Sequence, residues 1–296
     1  ELVGSVLVGN ASLYGGGIYD TFSSGLVISQ STLAANAPDP IQSTSGFELA
    51  NSIIWNNGDE SAPTRRNATV TSSLIGIDPE FMQPPNDGGD GWGDALGTTE
   101  VDESLNDDFG DLRLTARSPA INVGNANRVP ADITDVDGDG DVAEPLPFDR
   151  NGNVREFGGA IDLGAYEFQA GVAAGREEQV TVVTTDTDVF DVYDGQISLR
   201  EAVFYAGIEG NSKTITFDNA LDGSIIRLDG SEVLIGEAVT IDATALANGL
   251  TIDADGRSRV LNVRASREQV VQLMGLTITG GFADDGGGIL NAATLR

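Results

Sequence analysis

The sequence contains no cysteine and no histidine, and its only lysine is Lys213. Each absence excludes a class of chemistry. Without His or Cys there is no Ser/His/Asp or Cys/His nucleophile, no thiolate zinc site and no His- or Cys-ligated haem. Disulfides contribute nothing to stability. Aromatics are scarce, with 2 Trp, 5 Tyr and 11 Phe in 296 residues, and they form no periodic stripe. No apolar run approaches the roughly 18 residues that span a bilayer, so no membrane insertion is expected. Basic residues are outnumbered, with 16 Lys+Arg against 46 Asp+Glu and a net charge of −30. Such a chain repels nucleic-acid phosphates and attracts cations. The opening ELVGSVLVGN has no basic flank, no long apolar core and no Met. It is expected to be neither a secretory signal nor a natural translation start. What is present is globular in balance, 40% hydrophobic and 21% charged, and long enough for one large or two ordinary domains.

Helical periodicity is nearly missing. Short Val/Ile/Leu/Thr runs alternate with Gly, Asn, Asp and Ser, the pattern of many short strands. Three segments share one frame: Leu2-x-x-Ser5-x-Leu7-x-x-Asn10, Ile28-x-x-Ser31-x-Leu33-x-x-Asn36 and Leu49-x-x-Ser52-x-Ile54-x-x-Asn57. The frame recurs after 26 and then 21 residues, and Leu250-Thr-Ile252 recurs as Leu276-Thr-Ile278 after 26. That step is too short for a propeller blade and lacks the helical half of a leucine-rich repeat. It fits a coil of a parallel β-helix, in which like residues stack one turn above another. Leu2, Ile28 and Leu49 form one expected inward column, and Leu7, Leu33, Ile54, Ile252 and Ile278 another. Asn10, Asn36 and Asn57 sit where the chain turns, since Asn tolerates left-handed backbone and can bond to its stacked neighbours.

The two ends match each other. Gly275-LTITGGFADDGGGIL-Asn291 resembles Gly4-SVLVGNASLYGGGIY-Asp20, and placing residue 1 after residue 296 puts Leu7 25 residues beyond Ile278. The chain therefore reads as the closing half of a β-helix followed by its opening half. Residues 1–57 are expected to be closing coils and 58–170 an acidic, loop-rich capping region ending in DLGAYEFQ. Residues 171–184 read as a linker, and 185–296 as a capping helix with the first coils. The helix is signalled by the capping box Ser198-Leu-Arg-Glu201, with Ile197 at the staple position and an apolar face of Leu199, Ala202, Val203 and Ala206. It would cover an otherwise open strand edge. The fold class is thus all-β, a right-handed parallel β-helix split into two halves, with an irregular Asp/Gly-rich capping region and one short capping α-helix.

SLREAVFYA, ITFDNALDGSIIRLDGSEVLI, LTIDADGRSRV and GLTITGG resemble the opening of bacterial CSLREA-type β-helix proteins, with Ile197 at the Cys position. NSIIWNN, IDPEF, LRLTARSPAINVGN and DLGAYEFQ resemble the closing region of choice-of-anchor Q proteins, and the GGGI-plus-Asn coils resemble polymorphic outer-membrane-protein repeats. The resemblance spans most of the chain apart from about 84–108 and the linker. It implies a large secreted or surface-attached bacterial protein, commonly without known activity.

The sharpest chemical motif is Asp135-Val-Asp137-Gly-Asp139-Gly140-Asp141, the first half of an EF-hand loop, with oxygens at positions 1, 3 and 5 and Gly at 6. Position 12 is Leu146, so the closing carboxylate would come from Glu144 or Asp149. The bland alternative is a solvated acidic turn. Asp149-Arg-Asn151-Gly-Asn153 is a weaker second candidate, and Gly88-Gly-Asp-Gly-Trp-Gly-Asp94 reads as loop. Asp284-Asp285 offers the paired carboxylates of a glycosidase, but no His and no Lys/Arg cluster accompanies them, and a coil turn is the simpler reading. Arg257, Arg259, Arg264 and Arg267 read as exposed ion pairs, with contact to an acidic neighbour as the sharper alternative. Asn10-Ala-Ser and Asn67-Ala-Thr match the glycosylation sequon without discriminating anything in a bacterial protein.

These features converge on a non-enzymatic extracellular or cell-surface structural protein, one unit of a β-helix fibre or tandem array. Its expected cofactor is structural Ca²⁺ at Asp135, Asp137, Asp139, Asp141, Glu144 and Asp149. Its expected partners are copies of itself, head to tail, through Glu1, Leu2, Ser5, Leu7, Leu276, Ile278, Leu295 and Arg296, with no nucleic acid. Two other readings stay open: a carbohydrate-binding adhesin that takes a glycan, and a β-helix polysaccharide lyase or hydrolase.

Overall fold

The computed structural model describes residues 1–21, 25–58, 68–92, 103–171, 175–208 and 210–296. It resolves into two compact units. One comprises Glu1–Ala68 with Ser72–Ala173, the other Ala174–Arg296 with Thr69–Thr71. The architecture is all-β, with parallel strands stacked in several sheets and a single α-helix among the described residues.

In the first unit, Leu2–Val3, Leu26–Ser29 and Phe47–Ala50 form one parallel set. Val6–Val8, Thr32–Ala34, Ile53–Trp55 and Leu74–Ile75 form a second, and Ile18–Asp20 pairs with Ile41–Ser43 in a third. The register is like on like. Leu2 opposes Ile28, which opposes Leu49; Leu7 opposes Leu33, which opposes Ile54. Ile28, Leu33, Leu49 and Ile54 are wholly buried, so the predicted columns are the core. Each triplet is short because the next residue or two turn the chain through left-handed backbone: Gln30, Ala35, Asn51 and Asn56 all have φ between 47° and 54°. Side chains rarely adopt that conformation unless the surroundings impose it.

Within the expected loop region, Phe81–Gln83 and Asp111–Leu114 make an antiparallel pair. The stretch from Ala120 to Ala165 buries Ile121, Val123, Ile161 and Leu163 and is tied down by long-range bonds. Gly164 N–H reaches Asn51 O at 2.9 Å and Ala165 N–H reaches Thr32 Oγ1 at 3.0 Å. Gly164 has no substitute there: an added Cβ would lie 2.8 Å from both Ile53 and Thr32.

In the second unit, the five-stranded sheet runs Val182–Val183, Thr214–Phe217, Val239–Asp242, Val270–Met274 and Thr294–Leu295. Ile225–Arg227, Leu250–Asp253 and Leu276–Thr279 form another sheet, and Val233–Ile235, Leu261–Val263 and Ile289–Asn291 a third. Every pairing is parallel, including Ile226 to Ile252 to Ile278. The helix, α1 (Leu199–Gly207), starts as its sequence dictates. Ser198 Oγ accepts from Glu201 N–H at 3.1 Å, and the Glu201 carboxylate accepts from Ser198 N–H at 2.7 Å. Its buried face is Leu199, Ala202, Tyr205 and Ala206; Val203 is half-buried, so Tyr205 takes the place expected for it. The helix packs on Val182–Val183, Thr214–Phe217 and Val233–Ile235.

Among the described residues, the sheets of the first unit begin at Leu2–Val3 and Val6–Val8, and those of the second end at Leu276–Thr279, Ile289–Asn291 and Thr294–Leu295. Aliphatics there are half-buried, whereas their neighbours one turn inward are closed off: Leu7 against Leu33, Ile278 against Ile252.

Candidate functional site

The acidic loop is closed at its base by a bridge between Ala131 and Pro145, with Asp132 N–H bonded to Glu144 O at 2.8 Å and Leu146 N–H to Pro130 O at 2.8 Å. Left-handed residues Asp135, Gly138 and Gly140 then curl the chain so that alternate carboxylates face inward. Two groups of three result, each with carboxylate oxygens within 4.8 Å of one another: Asp135, Asp137 and Asp139, and Asp132, Asp137 and Glu144. Asp137 belongs to both. Oxygen donors at that separation and of that hardness suit Ca²⁺.

Of the six residues expected to bind metal, four converge. Asp141 is in neither group; its Oδ1 accepts from Ala143 N–H at 3.0 Å. Asp149 is elsewhere and saturated, accepting from Asn151 N–H, Asn153 N–H, Asn153 Nδ2 and Glu167 N–H at 2.8 to 3.0 Å. The Asp149-Arg-Asn151-Gly-Asn153 turn is therefore organised around its own aspartate. The motif did not include Asp132, which is fully buried and held by Val136 N–H at 2.8 Å. Its contribution depends on the Ala131–Pro145 bridge, which no local pattern announces. Glu144 Oε1 is buried without a hydrogen-bond partner, and burial followed by the charges of Asp139, Asp137, Asp141 and Asp132 raises its pKa. A cation would relieve both.

No family model, curated protein or solved structure matches the chain.

A second charged cluster lies in the interior of the first unit. Arg155 is buried, donating through Nη1 to Gln30 Oε1 at 2.7 Å and through Nε to Phe148 O at 3.2 Å. Asp149, Asp162 and Glu167 surround it electrostatically and are themselves buried. Asp162 accepts from Asn122 N–H and Phe168 N–H at 2.7 and 2.6 Å, and Glu167 from Asp162 N–H at 3.0 Å. Burial, then the neighbouring Asp162 charge, pushes the Glu167 carboxyl up to about 9, so it is protonated at neutral pH. These groups knit the loop region to the strands, and Glu167 Oε1 is left buried without a hydrogen-bond partner.

The turns carry two polar ladders. Ser5 N–H donates to Ser31 Oγ, Ser31 N–H to Ser52 Oγ and Ser52 N–H to Ser73 Oγ, at 3.1 to 3.2 Å. Asn10 donates from both N–H and Nδ2 to Asn36 Oδ1, and Asn36 does the same to Asn57 Oδ1. Beside the Asn ladder runs a groove of about 560 Å³ lined by Asn56, Asn86, Asp87, Asp90 and Trp92 among others. The Trp92 ring lies offset on Phe109, 5.6 Å between centroids, and both rings press on Gly9. Gly93 and Asp94 of the acidic Gly-rich run lie outside the described residues, as does Asn67 of the second sequon.

The four arginines singled out in the second unit differ in setting. Arg259 pairs with Glu232 and donates to the carbonyls of Asp285 and Gly286. Arg257 makes exposed pairs with Asp229 and Asp255, and Arg264 is buried, which lowers its pKa. Arg267 contributes its carbonyl, which accepts from Thr294 Oγ1 at 3.0 Å. Asp284-Asp285 thus lies in a turn clamped by Arg259. Among the described residues, no helix is long and apolar enough to cross a membrane.

Of the residues expected at the interface, Leu2, Leu7, Leu276, Ile278 and Leu295 lie on the outermost strands among the described residues, and Glu1, Ser5 and Arg296 lie just outside them. Leu2 and Leu7 pair inward with Ile28 and Leu33, Leu276 and Ile278 with Leu250 and Ile252, and Leu295 with Val271. Arg296 follows that last strand, its N–H on Val271 O at 2.9 Å.

Proposed function

We propose that this chain is a non-enzymatic structural unit: a right-handed parallel β-helix in two halves that stacks end to end into an extracellular or surface-attached bacterial fibre or tandem array. The observation that carries this reading is that, among the described residues, Val6–Val8 and Leu276–Thr279 are each the edge strand of a like-on-like parallel stack. Such edges invite further strands, and a contact between unlike ends propagates into an open filament unless its rotation closes a ring. The four N–H donors on Asp149 and the hold of Glu232 and two carbonyls on Arg259 support a structural role for these groups. The resemblance to CSLREA-type and choice-of-anchor Q proteins supports the surface location. Sedimentation velocity across protein concentration and salt tests the assembly. Association is expected to strengthen as salt rises from about 10 mM to 0.15 M, because the Debye length shortens from about 30 to 8 Å and the −30 charge is screened. A single monomeric species at every concentration and salt would sink the reading.

We further propose a structural Ca²⁺ in the acidic loop, held by Asp137 either with Asp135 and Asp139 or with Asp132 and Glu144. Calcium at about a hundredfold excess over Kd is expected to stabilise the protein by about 2.7 kcal/mol, and EDTA to lower the melting temperature accordingly. Asp137→Asn, which removes the carboxylate common to both groups, should abolish the calcium-dependent shift. Identical melting curves with and without EDTA would remove the metal from the proposal.

A further inference from the structure

The backbone of the last turn repeats that of the first. Gly4, Gly9 and Gly15 have φ of 57°, 64° and 58°; Gly275, Gly280 and Gly286 have 69°, 66° and 58° at the same separations of five and then six residues. The surroundings agree as well. A Cβ on Gly15 would strike Ile18 O at 2.4 Å, and one on Gly286 would strike Ile289 O at 2.5 Å. The two terminal turns are thus built to one template, at a level of detail that strand composition alone would not impose.

The ladders add a direction. In every rung, the residue just after a left-handed position gives its N–H to the side chain of the residue just after the matching left-handed position one turn later. Ser5 follows Gly4 and donates to Ser31, which follows Gln30; Asn10 follows Gly9 and donates to Asn36, which follows Ala35. At the first turn this leaves two acceptors, Ser5 Oγ and Asn10 Oδ1, to which nothing donates among the described residues. The residues that follow Gly275 and Gly280 are Leu276 and Gly281. Exposed apolar side chains mark the same turns, Leu13 and Tyr14 at one end and Phe282 at the other.

We infer that Ser5 and Asn10 are the recognition pair for a second copy of this chain, accepting the N–H groups of its Leu276 and Gly281 while its Leu276–Thr279 strand pairs alongside Val6–Val8. This rests on the end-to-end reading above and adds to it a polarity, a register and two named acceptors. A partner arriving start to start would offer its own Ser5 and Asn10 side chains in place of the Leu276 and Gly281 N–H groups.

The absence of native cysteine makes a direct test clean. Ser5→Cys and Leu276→Cys are prepared as separate single variants and oxidised alone and mixed, in parallel with sedimentation of the wild type. The expected result is a disulfide-linked dimer in the mixture and little in either variant alone, since neighbouring strands hold the two sulfurs within bonding reach. The double variant Ser5→Ala/Asn10→Ala is expected to weaken association about tenfold, with its melting temperature close to that of the wild type. Homodimers of Ser5→Cys alone, or a chain carrying both cysteines that closes on itself, would overturn the inference. So would a wild type that assembles while the mixture fails to cross-link, or while the alanine variant associates undiminished; the end-to-end reading would then survive with a different contact. A wild type that never assembles removes both.

Discussion

Replacing Arg155 by Met is expected to destabilise the first unit by roughly 3–5 kcal/mol, the typical loss when one partner of a buried ionic set is deleted. The guanidinium is enclosed with Asp149, Asp162 and Glu167, and it also holds Gln30, a wholly buried residue in left-handed backbone. Without it, two buried carboxylates lose their counter-charge and Gln30 Oε1 loses its donor. Glu167→Gln should act in the opposite sense. An unfolded glutamate ionises near 4.5 and this one near 9 in the fold. Between those values the unfolded chain has released a proton that the folded chain retains, so this group's contribution to stability falls as pH rises, by up to about 1.4 kcal/mol per pH unit. Urea titrations at pH 6 and pH 8.5 separate the outcomes. The wild type should lose more stability across that interval than Glu167→Gln, and Arg155→Met should be the weakest at both. Equal pH dependence in wild type and Glu167→Gln would show that Glu167 is ionised in the fold.

Asn36→Ala should cost roughly 2–4 kcal/mol, well above the effect of Asn10→Ala. Asn36 is completely buried and its amide works in three directions. Oδ1 accepts from Asn10 N–H and Nδ2, and its own Nδ2 donates to Leu7 O at 3.0 Å, Ala34 O at 3.1 Å and Asn57 Oδ1 at 3.0 Å. Alanine removes all of these and strands buried carbonyls, each worth about 1–3 kcal/mol when left unmet, less whatever water can replace. Asn10 is exposed and its loss can be repaired by solvent. Chemical denaturation of both variants ranks them. Equal losses would mean that the ladder stabilises no more than any surface amide does.

What the sequence disclosed and what it withheld divide along the range of the interactions. The α1 start was legible because Ser198 and Glu201 are three residues apart and need nothing else. The columns Leu2–Ile28–Leu49 and Leu7–Leu33–Ile54 were legible because a stacked architecture writes each long-range contact as a local likeness. The irregular region has no such redundancy. Nothing near Arg155 points to Gln30, 125 residues away, and nothing in the Asp-rich run points to Asp132. Phe81–Gln83 and Asp111–Leu114 pair across the acidic stretch 84–110, beyond the reach of any local pattern. Asp149 shows the converse error: spacing suggested a ligand, whereas four donors already occupied it.

The Ser and Asn ladders step by 26 residues between their first two rungs and by 21 thereafter, yet each rung meets the next in the same geometry. The five-residue difference is absorbed entirely in the connecting turns. Over evolutionary time, then, the length of such a chain can change freely at the corners, or by gain and loss of a whole turn between equivalent serines. A single-codon slip inside a strand triplet has no such freedom, because it would move both ladders and the aliphatic column out of phase together.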